Sequence, residues 1–400
     1  MGIYNKFPIK TTADDIKIFS SEDFYWGILG RKEMQDFVNI ASKEGYIEAI
    51  KKTKFTNRKF NSYTNKYSRA DFHFLLPISK DAVILDLGSG YGNITIPLAH
   101  HYKKIIAADA SLELLQFSKC RALSEGVNNI DYIKVNSLEY CDLPFTEKSF
   151  DVIIVSGLLE WVGPGKLDEK PDLLQRKLLN YLNNLLKDDG FLYIAIENRL
   201  FPGWLGRDPH SKLRWTSILP RCIANIYAKY KGHKNGYRTY IYSKLGYAKM
   251  LIKSGFKDIK FYYPFTTYRS PEVICPDDDF VGKFLFIGGY ARKFFTRKWF
   301  MLYRVLYMFG IYQFFVASFM IIARKKNAVG ALPKTALLKM LANKYEYISI
   351  DDHLIKINNE DEEYVHFFLF NNSNKLAPYA EVKVLRKRPL NNESIITNHL

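Results

Sequence analysis

The chain has 400 residues, and 48% of them are apolar, so it can bury a sizeable core and is neither disordered nor collagen-like. Lys and Arg number 58 against 41 Asp and Glu, and the formal charge of +17 favours an anionic partner such as nucleic acid, a phosphorylated substrate or a membrane surface. The four cysteines form no C-x-x-C pair, so we expect no metal site. Scattered cysteines and a start without an apolar signal sequence predict a reducing, cytoplasmic compartment.

The first 77 residues predict a helical N-terminal cap, with helical spacing from Phe24 to Lys51. From about Asp81, short apolar runs alternate with amphipathic helical segments. The predicted strands are AVILDL, KIIAAD, IDYIKV, FDVIIV and GFLYIAI, and helices are predicted from Asn93, from Leu112 and from Pro171 to Lys187. Apolar strands joined by helical crossovers form parallel sheets that are covered on both faces. Residues 78–326 therefore predict an α/β fold with a doubly wound, mostly parallel sheet.

Two irregular segments, at about 198–245 and 266–313, interrupt this alternation of strands and helices and are interpreted as substrate insertions. The uncharged stretch Val305–Ala323 has 19 residues, close to the length of a membrane-spanning helix. Its end, FFVASFMIIARKK, equally suits a buried strand, which we favour. Residues 327–400 contain three strand-like runs, YEYISI, EYVHFFLF and YAEVKVL, and predict a small β-rich C-terminal module.

The most informative motif is VILDLGSGYGN, residues 83–93, in which a strand leads into a glycine turn and then a helix. Gly88, Gly90 and Gly92 permit positive φ angles and close approach of a ligand. The N-terminus of the following helix offers free N–H groups to an anionic group. Two cofactors suit this context, a dinucleotide and S-adenosylmethionine (SAM).

The spacing of the motif favours SAM. In the dinucleotide fingerprint G-x-G-x-x-G the last position is small, whereas here it is Asn93. Asp86 precedes the turn, and a buried carboxylate suits the ammonium of methionine better than a pyrophosphate. Asp109, 21 residues after Gly88 at the end of the second strand, is placed to accept both ribose hydroxyls of either cofactor.

The residues from Asp86 to Gly92, Asp109, Leu143-Pro144-Phe145 and Leu159 to Val162 together resemble a class I SAM-dependent methyltransferase. The resemblance covers roughly residues 70–325 and implies a seven-stranded sheet whose last strand, FVASFMIIARKK, is antiparallel. It also implies a set of cofactor-binding residues at the strand ends, although the acidic residue usual after the third strand is missing. These residues are Asp86, Gly88, Ser89, Gly90, Gly92, Asp109, Ala110, Asn136, Ser137, Leu138, Ser156 and Gly157.

A finer resemblance begins at AIENRLFPGWLGRDPH, residues 195–210, and continues with YRTYIYSKLGY and YPFTTYRSPEVICP. These segments resemble a bacterial methyltransferase subfamily that is often encoded with, or fused to, glycosyltransferases or small-molecule kinases in surface-polysaccharide settings. PYAEVKVLRKRP in the tail is similar to the third strand of a truncated kinase-like N-lobe, with Lys383 at the position of the nucleotide lysine. No H-R-D or D-F-G pattern follows, so kinase activity is not predicted.

Methyl transfer to a hydroxyl needs a base, and the insertion after the fifth strand supplies candidates in His210, Asp208 and Glu197. Each also suits a structural role in a loop. Candidate residues for binding an anionic or sugar acceptor are Arg199, Arg207, Arg238 and Tyr240, for which a solvated surface role is as plausible.

A basic helix is predicted from Ala291 to Phe309, either packed on the sheet or resting on anionic lipid. The sequence thus predicts SAM-dependent methyl transfer to a small-molecule or glycan acceptor, one that is lipid-linked if the protein works at the inner face of the membrane. The alternatives are an RNA methyltransferase, disfavoured by the lack of RNA-binding motifs, a nicotinamide-dependent oxidoreductase, disfavoured by Asn93 and Asp86, and a non-catalytic SAM-binding or membrane-docked scaffold.

Overall fold

A computed structural model describes residues 2–53, 67–136, 141–164, 166–208, 210–277, 282–293, 295–325, 341–346, 353–357, 363–370, 378, 380–387, 393 and 395–399. Among the helices within these ranges, none has the length and apolar character needed to cross a membrane.

Seven strands form the centre of the fold: Val83–Leu87 (β3), Lys104–Asp109 (β4), Ile130–Lys134 (β5), Phe150–Ser156 (β6), Leu186–Glu197 (β7), Lys257–Thr267 (β8) and Ser318–Arg324 (β10). Their spatial order is β5-β4-β3-β6-β7-β10-β8. Neighbours from β5 to β7 are parallel, whereas β10 runs antiparallel to both β7 and β8. The predicted doubly wound α/β sheet is therefore confirmed.

Strand β10 is the end of the long uncharged stretch. All seven of its residues are buried, and they pair with β7 from Ser318 opposite Glu197 to Arg324 opposite Phe191. Apolar side chains on both faces explain the burial, because this strand lies between two others in the middle of the sheet. The interpretation of this segment as a buried strand is confirmed.

Eight α-helices are found in the described ranges: Arg31–Glu44 (α1), Tyr46–Lys52 (α2), Thr95–Ala99 (α3), Leu112–Ser124 (α4), Pro171–Leu185 (α5), Arg221–Tyr230 (α6), Lys244–Lys253 (α7) and Arg297–Met308 (α8). Helix α5 ends two residues before the predicted Lys187 because β7 begins at Leu186. The predicted basic helix is split. Tyr290–Lys293 form a separate short 3₁₀ turn, and α8 begins at Arg297.

The N-terminal cap contains helices, as predicted, but it also contributes to the sheet. The two-residue strand Lys17–Ile18 (β2) pairs in parallel with β5, and Lys10–Thr11 (β1) pairs with β2. A 3₁₀ segment, Tyr67–Leu75, then leads into β3. The first two strands of the cap therefore lie beside β5 at one edge of the sheet, whereas Phe72 of the 3₁₀ segment stacks on Tyr193 of β7.

The C-terminal strands extend the other edge of the sheet. Ser270–Pro276 (β9) pairs with β8 and with His353–Ile357 (β11), and three antiparallel strands follow: Tyr364–Phe370 (β12), Ala380–Leu385 (β13) and Ile395–His399 (β14). The strands of the described ranges thus form one 14-stranded sheet. The predicted runs EYVHFFLF and YAEVKVL correspond to β12 and β13, whereas most of YEYISI lies outside the described residues.

Candidate active site

The predicted glycine turn has the geometry that its sequence requires. Gly88, Gly90 and Gly92 have φ angles of +77°, +50° and +78°. The N–H groups of Gly88 and Ser89 both donate to the carbonyl of Ala108, which ties the turn to the end of β4. A Cβ at Gly92 would collide with Ser118, whereas a Cβ at Gly90 would meet open space. The open side of the turn is where a ligand can approach the backbone.

The two predicted carboxylates lie beside this turn, Asp86 within β3 and Asp109 at the end of β4. Asp109 accepts the N–H of Gly90 at 2.8 Å and that of Ser111 at 2.9 Å, and Asp86 accepts the hydroxyl of Thr95 at 2.6 Å. Burial raises the pKa of Asp86 to about 6, against the opposing effect of the Thr95 hydroxyl. Burial also raises the pKa of Asp109. A buried carboxylate with a raised pKa is stabilised by a cation, so Asp86 is suited to an ammonium group.

The other predicted cofactor residues lie at neighbouring strand ends. Ala110 is buried directly after β4, and Asn136, two residues beyond β5, lines a cavity of about 230 Å³ with Ser20 and Ser21 of the cap. Ser156 ends β6 and is followed by Gly157, with a φ of +67°. Ser137 and Leu138 lie outside the described residues.

Two residues of the N-terminal cap that were not predicted from the sequence contact the strand ends where the predicted cofactor residues lie. Arg69 lies in the 3₁₀ segment and donates to the hydroxyl of Ser156 at 3.1 Å. Its positive charge, like the Thr95 hydroxyl, partly opposes the rise in the pKa of Asp86 that burial causes. The N–H of Trp26 donates to the hydroxyl of Ser111, 3.0 Å away. Neither contact could be found from the sequence, because the partners lie 85 or more positions apart.

A buried cluster of titratable groups lies beyond β6 and β7. The imidazole of His210 is 2% exposed, and its Nε2 is 3.8 Å from Glu160 Oε1 and 3.9 Å from Glu197 Oε2. These distances are too long for hydrogen bonds, and the contacts are ion pairs only when His210 is protonated. Burial alone would lower the pKa of His210, but the neighbouring carboxylates of Glu160, Glu197 and Asp208 together raise it above its ordinary value. Burial and the charge of Glu160 raise the pKa of Glu197.

Asp208 organises the loop that carries His210. Its carboxylate accepts the backbone N–H groups of His210 and Ser211 at 2.8 and 2.9 Å, as well as the hydroxyl of Ser217. These bonds fix the start of the loop, much as an aspartate caps a helix or turn. Of the three predicted base candidates, Asp208 therefore holds the loop, whereas His210 and Glu197 face each other.

The four predicted acceptor-binding residues lie outside the cavity beside Glu197, which is described below. Arg199 donates to the carbonyls of Ser217 and Leu219 at 2.6 Å, and Arg238 donates to that of Gly163 at 3.0 Å. The guanidinium of Arg221 lies over the ring of Tyr240, with its Cζ 4.1 Å from the ring centroid. Arg207 is exposed and forms an isolated β-bridge with Arg214. None of the four is among the described residues that line the cavity beside Glu197.

That cavity has a volume of about 280 Å³ and is mainly aromatic. Its lining combines residues of the insertion after β7, the hairpin of β8 and β9, helix α8 and the start of β10. They are Glu197, Phe201, Trp204, Phe265, Thr267, Tyr268, Arg269, Phe295, Trp299, Tyr303, Ala317 and Ser318. Such a pocket, apolar with a few convergent polar groups, is typical of a small-ligand site.

The polar end of the cavity is held in place by hydrogen bonds. Arg269 donates to Glu197 Oε1 at 2.8 Å, and the hydroxyl of Tyr268 lies 3.3 Å from the same oxygen. The same hydroxyl packs against Gly157, where a Cβ would lie 2.7 Å from it. Tyr268 therefore contacts both the cavity and the end of β6.

Residues 85–194 match the protein family described as Methyltransferase domain. This stretch contains the glycine turn, Asp109 and the strands β4 to β6 with most of β7. These residues of the chain form a SAM-dependent methyltransferase domain. The match to the bacterial subfamily stays a prediction.

The matches to individual curated proteins are shorter. The chain is 28% identical over 151 residues to a tRNA/tmRNA (uracil-C(5))-methyltransferase of Sulfurimonas denitrificans, which covers 35% of this chain and 39% of that protein. It is 37% identical over 71 residues to an uncharacterised protein of Mycobacterium tuberculosis, covering 18% of this chain and 24% of that protein. The chain thus spans less than half the length of these relatives.

The solved structures to which the chain is similar include two methyltransferases. One is a phosphoethanolamine N-methyltransferase of Haemonchus contortus in complex with SAM, with a TM-score of 0.40, 15% identity and coverage of 76% of this chain and 62% of that one. Another is a possible histamine N-methyltransferase of Thermotoga maritima, with a TM-score of 0.36, 15% identity and coverage of 74% and 99%.

The cofactor of such a domain is SAM, and the residues at the glycine turn fit it. The methionine part carries an ammonium and a carboxylate, and the ribose carries two hydroxyls. The buried Asp86 suits the ammonium, Asp109 suits the ribose, and the open side of Gly90 leaves room for close approach. The hydroxyl of Ser89 is buried without a hydrogen-bond partner among the described residues, so a ligand could supply one.

Proposed function

We propose that the protein transfers a methyl group from SAM to a small-molecule or glycan acceptor that binds in the aromatic cavity beside Glu197. The observation that carries this proposal is the position of Tyr268, which lines the cavity and also packs against Gly157 at the end of β6. In open α/β sheets, ligands bind beyond the carboxyl ends of the strands. The cavity and the glycine turn lie at that same end.

The roles proposed for the cofactor residues follow from charge. Asp86 pairs with the ammonium of SAM, Arg69 pairs with its carboxylate, and Asp109 accepts the ribose hydroxyls. The cofactor supplies an electrophilic methyl group on a sulfonium. The protein then has to align the acceptor atom with that methyl and exclude water from the site.

The acceptor is activated at the polar end of the cavity. Glu197 is the carboxylate in the lining, and we assign it the proton that an acceptor hydroxyl loses on methylation. Arg269 holds its Oε1, which lies toward the cavity, and His210 faces its Oε2. The positive charges of Arg269 and of a protonated His210 would stabilise Glu197 as a carboxylate before transfer.

The lining also restricts the class of acceptor. Phe201, Trp204 and Trp299 offer flat, rigid surfaces, and the rings of Phe201 and Trp299 stack with their centroids 5.5 Å apart. Aromatic walls with one carboxylate and one guanidinium suit a sugar ring or another compact polar body with an apolar face. A folded nucleic acid is too large for a cavity of about 280 Å³, which admits only a single small unit.

The outer surface of α8 favours an acceptor that is located at an anionic membrane. Tyr303 and Trp299 face the cavity, whereas the opposite side of the helix exposes an apolar stripe. The stripe consists of Met301, Leu302, Val305, Met308 and Phe309, which are 37 to 74% exposed. Arg297 and Arg304 lie along one side of it, and residues 280–345 contain twelve Lys or Arg and no Asp or Glu. An exposed apolar face with basic flanks is typical of an interfacial helix.

Methyl-labelled SAM tests the proposal. The purified chain would be incubated with labelled SAM in three separate reactions. These contain a bacterial lipid extract rich in lipid-linked glycans, soluble sugar nucleotides, or tRNA. Label in the lipid or sugar fraction, lost in Glu197→Gln and kept in the exposed control Glu147→Gln, is the expected result. Label only in tRNA, or no label from a chain that binds SAM, would contradict the proposed acceptor class.

Vesicle binding tests the surface separately. Met308→Gln with Phe309→Gln should reduce sedimentation with anionic vesicles, whereas Ile226→Gln on α6, 69% exposed, should not. Unchanged binding of the double variant would rule out α8 as the docking surface.

A second candidate is methyl transfer to RNA. Four of the curated relatives are named as RNA methyltransferases, among them those of Sulfurimonas denitrificans and Aeromonas salmonicida. The net charge of +17 would suit a phosphate backbone. RNA binding that weakens steeply with salt, together with label in tRNA, would favour this candidate.

A further inference from the structure

The cluster of Glu160, Glu197 and His210 contains more buried charge than its contacts satisfy. Glu160 is fully buried, and neither of its carboxylate oxygens has a hydrogen-bond partner among the described residues. Both ring nitrogens of His210 and Oε2 of Glu197 are likewise buried without such a partner. A buried carboxylate without partners is costly, so a group of this kind normally binds a cation or a proton donor.

We propose that Glu160, Glu197 and His210 form a binding site for a divalent transition-metal ion such as Zn²⁺ or Mn²⁺. The sequence predicts no metal site, because it contains no cysteine pair and these three ligands are 37 and 13 positions apart in the chain. The fold brings them together, because Glu160 follows β6, Glu197 ends β7, and the loop after β7 returns to place His210 between them.

The geometry suits one ion. One ligand atom from each of the three residues lies within 4.8 Å of the other two. His210 Nε2 is 3.8 Å from Glu160 Oε1 and 3.9 Å from Glu197 Oε2. An ion about 2.1 Å from each of two ligand atoms holds them about 3.4 Å apart at a tetrahedral angle. Small rotations of the side chains would therefore close the site around the ion.

The donor set indicates the class of ion. One imidazole with two carboxylates is a harder set than cysteine sites and a softer set than the all-oxygen sites of Mg²⁺ and Ca²⁺, so Zn²⁺ or Mn²⁺ is favoured. Three protein ligands leave at least one position open, as in catalytic zinc sites. Arg269 engages the other oxygen of Glu197 and orients that ligand from outside the cluster.

The open position would lie toward the cavity, because Glu197 belongs both to the cluster and to the cavity lining. A metal ion there would hold the acceptor's oxygen and lower the pKa of its hydroxyl. This role rests on the proposed function, whereas binding of the ion itself does not. Glu197 Oε1, on the side of Arg269, would still be available for the proton.

Calorimetric titration of the metal-free full chain with Zn²⁺, and in parallel with Mn²⁺, tests the site. We expect one ion per chain, bound at least tenfold more weakly by Glu160→Gln and by His210→Gln. The exposed matched controls Glu147→Gln and His233→Gln should bind as the unchanged chain does. Titration of every sample with SAM reports whether the fold and the cofactor site are intact.

The outcomes separate the two proposals. A chain that binds SAM but takes up neither metal, or a Glu160→Gln variant with unchanged affinity, would overturn the metal site and show that the proton on His210 balances the charge. Metal binding that depends on Glu160 in a chain that transfers no methyl group would support the site and overturn the proposed function instead.

Discussion

The two ends of the proposed site are built in different ways. The cofactor end is a continuous stretch from Asp86 to Gly92 with Asp109 close behind it, and its contacts join adjacent strands. The acceptor end combines Glu197 and His210 with residues of α8 and of the β8–β9 hairpin, up to 106 positions from Glu197 in the chain. The first end is fixed by local backbone geometry, whereas the second depends on how distant segments pack.

This difference predicts that the two ends can be damaged separately. Glu197→Gln should lower kcat about 10²–10⁴-fold, the usual contribution of a general base. The dissociation constant for SAM should stay the same, because Glu197 lines the cavity at the end of β7, two strands away from the glycine turn that follows β3. Steady-state rates and SAM titration of the same sample measure both quantities. A parallel loss of SAM affinity would mean that the two ends are coupled.

A change in the C-terminal tail should mainly reduce stability. Arg386 pairs with the buried Asp71 at 3.1 and 3.2 Å and links the tail to the cap. Arg386→Ala removes this buried ion pair, so we expect the free energy of unfolding to fall by about 3 kcal/mol. Urea unfolding measures the loss, with Lys387→Ala, a half-exposed neighbour, as the control. An unchanged midpoint would show that the tail does not stabilise the cap.

At the cofactor end, Asp86→Asn should weaken SAM binding about 30-fold, since a hydrogen bond to a charged group is worth about 2 kcal/mol. Calorimetry checks this value, and Asp81→Asn, an exposed aspartate five residues earlier, is the matched control. Equal affinities of the two variants would remove Asp86 from the proposed cofactor site.

The same carboxylate predicts a pH dependence. Asp86 has a pKa of about 6, so it is charged at pH 7.5 and mostly protonated at pH 5. SAM affinity should therefore fall about tenfold over this range, and Asp86→Asn should abolish most of that dependence. The unligated protein should show the opposite trend. Because the folded pKa lies above the unfolded value of 3.8, stability rises as pH falls through about 6.

The sequence predicted the cofactor end because glycine spacing and strand-end carboxylates are local signals. It also predicted β10, because an apolar run without charges has to be buried in a sheet or a membrane. It did not predict that the tail would extend the sheet, since pairing of β9 with β11 joins segments 80 or more positions apart. Glu160 was recognised only as part of the family motif, because nothing local indicates that it faces His210. The aromatic cavity likewise arises only when α8 packs over the β8–β9 hairpin.

Calorimetric titration of the unchanged chain with SAM and, separately, with NAD would show whether the glycine turn binds SAM. We expect one SAM bound per chain, no binding of NAD, and loss of SAM binding in the Asp86→Ala, Asp109→Ala double variant. A folded chain that binds NAD, or that binds neither cofactor, would contradict this expectation.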